Sequence, residues 1–119
     1  MNKYTRLFID ETRSYLDTIV RALPAAPGEK RGDLADACRL AHSIKGMALF
    51  EEQSAVAGLA YALEQGIEAL DGAGGGERLL SLLARGAELL RLMIGEVEGQ
   101  GFPREDPTMV VEAIVGEIG

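Results

Sequence analysis

A single histidine stands close to a lysine and a glycine in the segment AHSIKGMALF, residues 41–50. His42 is followed by Lys45 and Gly46 at positions i+3 and i+4, which share its face if the segment is helical. A neutral imidazole has one unprotonated nitrogen that can act as a nucleophile, and a nearby ammonium can neutralise an anion attached to the ring. Glycine weakens a helix by about 1 kcal/mol relative to alanine, so its presence at position 46 needs a reason. Clearance for a phosphoryl group or for a docking protein is such a reason.

Helices must position these residues, because five segments place apolar residues three and four positions apart. Asp33 is the expected N-cap of the second helix, and the glycine-rich segment 71–76 is predicted as a turn. Four long helices joined by short loops, without strand alternation, predict an all-α fold: an antiparallel four-helix bundle with an additional short fifth C-terminal helix. The predicted helices are 2–23, 34–48, 53–70, 77–98 and 107–118.

Apolar stripes along these helices identify the predicted core. The third helix has the clearest stripe, and the fourth has the widest, which suits a central position in the bundle. Some of the glycines inside the helices are expected to allow close packing, and their spacing leaves open which ones do. The stripe of the first helix consists of Tyr4, Phe8, Tyr15, Ile19 and Leu23. The glycines in question are Gly58, Gly66, Gly86 and Gly95.

Composition narrows the class of protein. A chain of 119 residues with 47% hydrophobic residues is expected to form one domain. Its formal net charge of −7 makes nucleic acid and anionic membranes poor partners. No apolar run approaches the ~20 residues of a membrane span, and the N-terminus does not resemble a signal peptide. Cys38 is the one cysteine, which excludes an internal disulfide and favours a reducing, cytoplasmic location.

His42 is expected at the surface of the second helix. It follows Ala41 by one residue and so points about 100° away from the core stripe. A carboxylate that held its Nδ1 proton would fix the tautomer and leave the Nε2 lone pair facing outward for attack on a phosphoryl group. The core stripe itself consists of Leu34, Ala37, Cys38, Ala41, Ile44 and Ala48.

The run HSIKG at 42–46 resembles the hallmark of histidine phosphotransfer (HPt) domains, a His-x-x-Lys-Gly sequence on the second helix of a helical bundle. The segment FIDETRSYLDTIVRAL at 8–23 is similar to the first helix of the N-terminal P1 domain in CheA-type chemotaxis kinases. The segment LAYALE at 59–64 lies where the family carries a leucine-rich seam that ends in a glutamate. This resemblance implies that residues 1–119 form a single HPt domain, the N-terminal fragment of a larger signalling kinase.

The resemblance also implies a role for each residue of the site. His42 would be phosphorylated, and Glu64 would accept a hydrogen bond from the histidine and so orient its ring. Lys45 would stabilise the phosphate, and Gly46 would provide steric clearance.

Three further residues near the motif are expected to contact partners: Arg39, Met47 and Leu49. The implied partners are a kinase catalytic domain, or a receiver domain, as donor and response regulator receiver domains of the CheY and CheB type as acceptors. The domain itself would use no cofactor and no metal, because ATP and Mg²⁺ would be supplied by partner domains. It would hold no complete catalytic site, so its status as an enzyme, as part of a histidine protein kinase, stays open.

Two other functions stay open at this point. Cys38 and His42 lie on successive turns and could form a thiol catalyst, although a buried structural thiol is expected at Cys38. The second open function is a helical adaptor that is never phosphorylated.

The run GMALFEEQ at 46–53 departs from the family, in which small residues often lead into the turn. Phe50 within it is expected either in the core or in an apolar docking patch.

Overall fold

The computed structural model describes residues 1–26, 29, 32–73 and 76–119. Its helices are α1 (Lys3–Ala22), α2 (Leu34–Phe50), α3 (Ser54–Ala73), α4 (Glu77–Gln100) and α5 (Thr108–Ile118). These described residues contain no strand, which confirms the all-α prediction. None of the helices in this part of the chain combines the length and the hydropathy that a membrane span requires.

The helix boundaries agree with the predicted ones to within three residues. The Asp33 carboxylate caps α2 as predicted, because it accepts a hydrogen bond of 3.0 Å from the Asp36 N–H. α3 continues to Ala73, so the first three residues of the predicted turn at 71–76 are helical instead. Residues 74 and 75 of that turn lie outside the described residues.

The helix pair that carries the predicted site, α2 and α3, has the most extensive packing in the bundle. α1 packs against α2 and α4, while α5 packs against α3 and α4. The core therefore lies between all five helices, and α5 covers the side of the α3–α4 pair. Its largest fully buried side chains are Ile9, Leu16, Ile19, Ile44, Leu59, Leu63, Ile67, Leu83, Leu90, Met93, Ile94 and Ile114.

The predicted core stripe of α1 is wrong at Tyr4, which is 59% exposed. Ile9 and Leu16, seven residues apart, are both fully buried and define the inward direction of the helix. Tyr4 lies roughly 100° or more around the axis from both of them. Its ring therefore stays on the surface, on the side of α1 that faces the end of α2.

Two of the four helix glycines allow close packing. A Cβ at Gly66 would lie 2.5 Å from Leu83 Cδ2, and one at Gly86 would lie 2.8 Å from Leu63 Cδ2. Both distances are shorter than a carbon–carbon contact, so these glycines let α3 and α4 approach each other. Gly58 and Gly95 have open space around the same position. These two positions have no packing reason for glycine.

The turn between α2 and α3 closes on a non-glycine residue. Glu52 has φ 58°, in the left-handed region. The N–H of Glu52 donates to the Leu49 carbonyl at 3.1 Å, and the N–H of Gln53 donates to the Ala48 carbonyl at 2.8 Å. This pair of bonds is the Schellman pattern, in which glycine usually occupies the left-handed position. A glutamate there costs roughly 1–2 kcal/mol of backbone strain.

Ion pairs join α1 to α4 at the surface. Glu98 accepts hydrogen bonds of 2.6 Å from Arg6 and 2.7 Å from Arg13. These bonds, that of Arg13 first, lower the pKa of Glu98 to about 2. Arg91 and Asp17 form a further pair at 2.9 Å between the same helices.

Candidate functional site

His42 lies on the outer face of α2 and is held from one side only. Its Nδ1 is 2.9 Å from Glu64 Oε2, and its side chain is 62% exposed. A carboxylate oxygen can only accept, so Nδ1 must carry the proton of this bond. The ring is then fixed in the tautomer whose Nε2 has a free lone pair.

Glu64 reaches His42 from α3 and is far less exposed than its partner. Its side chain is 16% exposed, because its neighbour Leu63 and Ile67, three residues on, hold α3 against the core. The two carboxylate oxygens differ. Oε2 contacts the histidine, whereas Oε1 is buried and accepts no hydrogen bond from the described residues.

Lys45 lies against α3 rather than projecting into solvent. Its Nζ is 3.7 Å from Glu64 Oε1, and its side chain is 24% exposed. The ammonium also lies over the ring of Tyr61, 4.9 Å from the centroid. His42, Glu64 and Lys45 are therefore together, with the carboxylate of Glu64 between the imidazole and the ammonium.

Gly46 faces solvent one turn after His42. A Cβ at this position would meet nothing within 4 Å. Packing inside the domain therefore gives no reason for a glycine here. The clearance predicted at Gly46 would therefore serve a group from outside the chain, such as a phosphoryl group or a docking protein.

Arg39 is directed along its own helix. Its guanidinium pairs with Asp36, three residues earlier, and its side chain is 67% exposed. This hydrogen bond is the main cause that raises the pKa of Arg39. The structure thus places Arg39 beside the site without a contact to His42.

A shallow groove of about 290 Å³ lies between the start of α1 and the end of α2. We call it the α1–α2 groove. Phe50, at 79% exposed, is on its surface rather than in the core, and Leu49, at 58%, is exposed outside the groove. The groove begins one turn from His42, because Gly46 is part of it. Its lining residues are Tyr4, Leu7, Phe8, Gly46, Met47, Phe50 and Glu51.

Cys38 is half-buried, where the sequence predicts a buried thiol. Its Sγ–H donates to the backbone carbonyl of Glu64 at 3.4 Å, which ties α2 to the residue that holds His42. Burial, and then the charges of Glu64, Glu68 and Asp71, raise the pKa of the Cys38 thiol. A raised pKa disfavours the thiolate that a nucleophilic cysteine needs. The hydrogen bond of the thiol to a backbone carbonyl and its raised pKa therefore argue against a thiol catalyst formed by Cys38 and His42.

Sequence reasoning missed Tyr61 as a neighbour of Lys45 and Leu7 as part of the α1–α2 groove. Tyr61 precedes Glu64 by three residues, so helical spacing places both on one face of α3, and this signal was available in LAYALE. Leu7 is 53% exposed and has no comparable signal. Among the described residues there is also no cluster of three or more His, Cys, Asp or Glu side chains that could hold a metal ion.

Comparison with known families identifies the family of the chain. The sequence matches the family model of the Hpt domain over residues 3–100. The chain belongs to the Hpt domain family. Hpt domains are histidine phosphotransfer domains, so the chain has a phosphotransfer role, and the resemblance that the HSIKG run carries is confirmed.

A solved structure has the same fold along nearly its whole length. It is the crystal structure of the phosphorylated P1 domain of CheA3 in complex with CheY6 from R. sphaeroides. The TM-score is 0.77 at 21% sequence identity, and the match covers 99% of this chain and 97% of that chain. At this identity the likeness shows the common fold. None of the curated proteins matches the sequence significantly.

Proposed function

We propose that His42 is the residue of this Hpt domain that carries the phosphoryl group. The supporting observation is the 2.9 Å contact of its Nδ1 with Glu64 on a ring that is 62% exposed. Fixing Nδ1 leaves Nε2 as the nucleophile, and exposure lets a donor approach that nitrogen in line. His42 is also the one histidine of the sequence.

The proposed transfer has two balanced steps. Nε2 uses its lone pair to form an N–P bond while the bond from phosphorus to the leaving group, ADP for a kinase donor, breaks. The ring then carries a positive charge, which Glu64 stabilises by keeping the Nδ1 proton in its hydrogen bond. In the second step an aspartate oxygen of a receiver domain attacks phosphorus. The N–P bond breaks, its electron pair returns to Nε2, and the imidazole is neutral again.

The proposed donor is a kinase catalytic domain and the proposed acceptors are response regulator receiver domains. Support comes from the Hpt family and from the CheA3 P1 structure, which was determined with CheY6. We favour a CheA-type kinase because the segment 8–23 resembles the first helix of the P1 domain in that class of kinase. Residues 1–119 would then be the N-terminal part of a larger cytoplasmic kinase. ATP and Mg²⁺ would be bound by the partner domains, so this domain needs no site for either.

The α1–α2 groove and the outer face of α2 are the proposed docking surface. Met47 lines the groove, and Gly46 contributes no side chain to the edge nearest His42. Leu49 adds an exposed apolar side chain on the face of His42. Such a small apolar patch beside a reactive residue suits a transient complex. Arg39 would contribute less, because a partner must compete with Asp36 for its guanidinium.

Lys45 is proposed to assist the phosphorylated state. Its ammonium lies beside Glu64 before transfer, within the same group of side chains. Once Nε2 carries a dianionic phosphoryl group, the added negative charge attracts the ammonium toward it. In the phosphorylated protein we therefore expect the Lys45 ammonium to exchange between an ion pair with Glu64 and one with the phosphate.

The test is phosphorylation of the isolated domain by the catalytic core of a CheA-type kinase with labelled ATP. We expect label on wild type that is acid-labile and alkali-stable, as a phosphoramidate is, and no label on His42→Gln. A receiver domain added afterwards should remove the label from wild type. Circular dichroism of both proteins controls for folding.

Two outcomes would overturn the proposal. Equal labelling of wild type and His42→Gln would place the phosphoryl group on another residue. Absence of label on wild type, with the same kinase core active on its own Hpt domain and with several cores tried, would favour the helical adaptor.

A further inference from the structure

Tyr61 contacts the lysine of the site and belongs to none of the roles above. Its ring centroid is 4.9 Å from Lys45 Nζ, and the same Nζ is 3.7 Å from Glu64 Oε1. Tyr61 and Glu64 are three residues apart on α3, so both approach Lys45 from one helix face. The ammonium is thus held between an aromatic face and a carboxylate oxygen.

The carboxylate of Glu64 needs this cation. Oε1 is buried and has no hydrogen-bond donor among the described residues. A charged oxygen removed from water without a donor or a counter-charge is unfavourable, and the carboxylate would gain by turning that oxygen toward solvent. Turning would carry Oε2 away from His42 Nδ1. The Lys45 ammonium, facing Oε1, opposes this rotation.

We propose that Tyr61 is a positioning residue that keeps the Lys45 ammonium beside Glu64 Oε1 in the unphosphorylated protein. Lys45 then acts on His42 through Glu64, because it stabilises the rotamer whose other oxygen holds Nδ1. The catalytic consequence rests on the proposed function of His42, whereas the placement of Lys45 does not. An aromatic face at an exposed site changes the occupancy of a bound ammonium by a factor of about two to five.

The placement is tested by NMR on the unphosphorylated domain with Tyr61→Phe and Tyr61→Leu. The phenylalanine keeps the ring face, and the leucine keeps apolar volume without a ring. We expect an upfield ring-current shift of the Lys45 ε-methylene protons in wild type and Tyr61→Phe, and its loss in Tyr61→Leu. We also expect the fraction of the Nδ1–H tautomer of His42, read from ¹⁵N shifts, to fall in Tyr61→Leu alone. Phe102→Leu removes an exposed ring with no recorded contact to Lys45 or Glu64 and should change neither signal.

The catalytic consequence is tested with potassium phosphoramidate, a small donor that needs no docking surface. Nε2 forms the N–P bond, the P–N bond of the donor breaks, and ammonia leaves. We expect Tyr61→Leu to slow phosphorylation of His42 about two- to fivefold, and Tyr61→Phe to restore most of the rate. In a Lys45→Met background, Tyr61→Leu should cause no further loss, since the ring acts through the ammonium.

The outcomes separate this inference from the proposed function. If wild type takes no phosphoryl group on His42, the proposed function fails, and the NMR signals alone decide the placement of Lys45. If wild type is phosphorylated but Tyr61→Leu leaves the ring-current shift in place, the positioning role is wrong. An equal loss of rate from Tyr61→Leu with and without Lys45 would also overturn it.

Discussion

Two regions of the bundle use glycine for opposite reasons. On the outer face of α2, a Cβ at Gly46 would meet nothing within 4 Å. At the contact of α3 with α4 and α5, a Cβ at Gly66 would lie 2.5 Å from Leu83 Cδ2 and 3.2 Å from Ile114 Cγ2. Both glycines weaken their helices by a similar amount. The interior of the domain accounts for Gly66 but not for Gly46. Gly58 and Gly95 have the same open space as Gly46, but Gly46 alone of the three lies one turn from His42, so we propose a docking partner as the reason for this glycine.

The same contrast divides the other residues of the two regions. The α3–α4–α5 contact is lined by fully buried Leu63, Leu83 and Ile114, and any added atom must displace one of them. The α2 face carries a 62% exposed histidine and exposed apolar side chains. Substitutions in the first region should change stability, whereas substitutions in the second should change transfer. The predictions below test this separation.

The largest effect is expected from Glu64→Ala. Loss of the carboxylate frees the tautomer of His42 and removes the charge that stabilises the phosphorylated ring, so phosphorylation should slow about 10- to 100-fold. Glu64→Gln keeps an acceptor for the Nδ1 proton without the charge, so its phosphorylation rate should lie between those of wild type and Glu64→Ala. Initial rates with a kinase core and labelled ATP measure both variants. Since Glu64 is outside the apolar core, a large drop in urea-unfolding stability would contradict the division between the regions.

Gly46→Ala should separate transfer from stability most clearly. The alanine is expected to stabilise the isolated domain by about 0.5–1 kcal/mol, because it improves helix propensity in open space. Phosphotransfer to a receiver domain should nevertheless fall about tenfold, the scale of one misplaced methyl group at a packed contact. Urea unfolding and transfer kinetics on one preparation give both numbers. Unchanged transfer would mean that no partner approaches this face.

Gly66→Ala should have the reverse profile. Crowding of buried Leu83 and Ile114 is expected to outweigh the gain in helix propensity and to cost about 1 kcal/mol of stability. Gly95→Ala is the matched control, because a Cβ there meets nothing within 4 Å, and it should stabilise the domain by about 0.5–1 kcal/mol. At a temperature where both are folded, both should be phosphorylated at the wild-type rate. Equal stability changes in the two variants would show that the α3–α4 contact has spare room.

The sequence predicted what depends on local spacing. Helical periodicity and the breakers between segments were enough for the five helices, and an aspartate before an apolar run was enough for the Asp33 cap. Family resemblance paired His42 with Glu64 across 22 residues. Spacing alone places Tyr61 on the same face of α3 as Glu64. It does not show that the ring lies under Lys45, because that contact depends on how far α2 is shifted along α3.

The same limit explains the errors and open questions. The spacing of Tyr4 from Phe8 fits a core stripe, but it does not show which edge of that stripe the neighbouring helices cover, and they cover the side of Ile9 and Leu16. Gly66 and Gly58 look alike in sequence, and only the neighbouring helix distinguishes them. Single-helix patterns contain the direction of a side chain relative to its own axis. They do not contain the distance to the next helix.

The smallest effect is expected from the ion pairs of Glu98, which join α1 to α4 outside both regions. The pKa of Glu98 is lowered from 4.5 to about 2, so this group stabilises the fold above pH 4.5 and loses its contribution as the pH falls toward 2. Within that window the unfolded chain binds the proton more readily than the folded one, and the stability of wild type should fall more steeply than that of Glu98→Gln. Urea unfolding at pH 7, 4 and 3 measures the difference in stability between the two proteins, which should shrink with acid.

The difference in stability should also shrink at high salt, because Arg6 and Arg13 are solvent-accessible. A constant difference across this pH range would mean that neither arginine senses the charge of Glu98. Phosphorylation of His42 should be the same in both proteins at pH 7, since α1 and α4 meet on a side of the bundle that does not carry the α2–α3 contact.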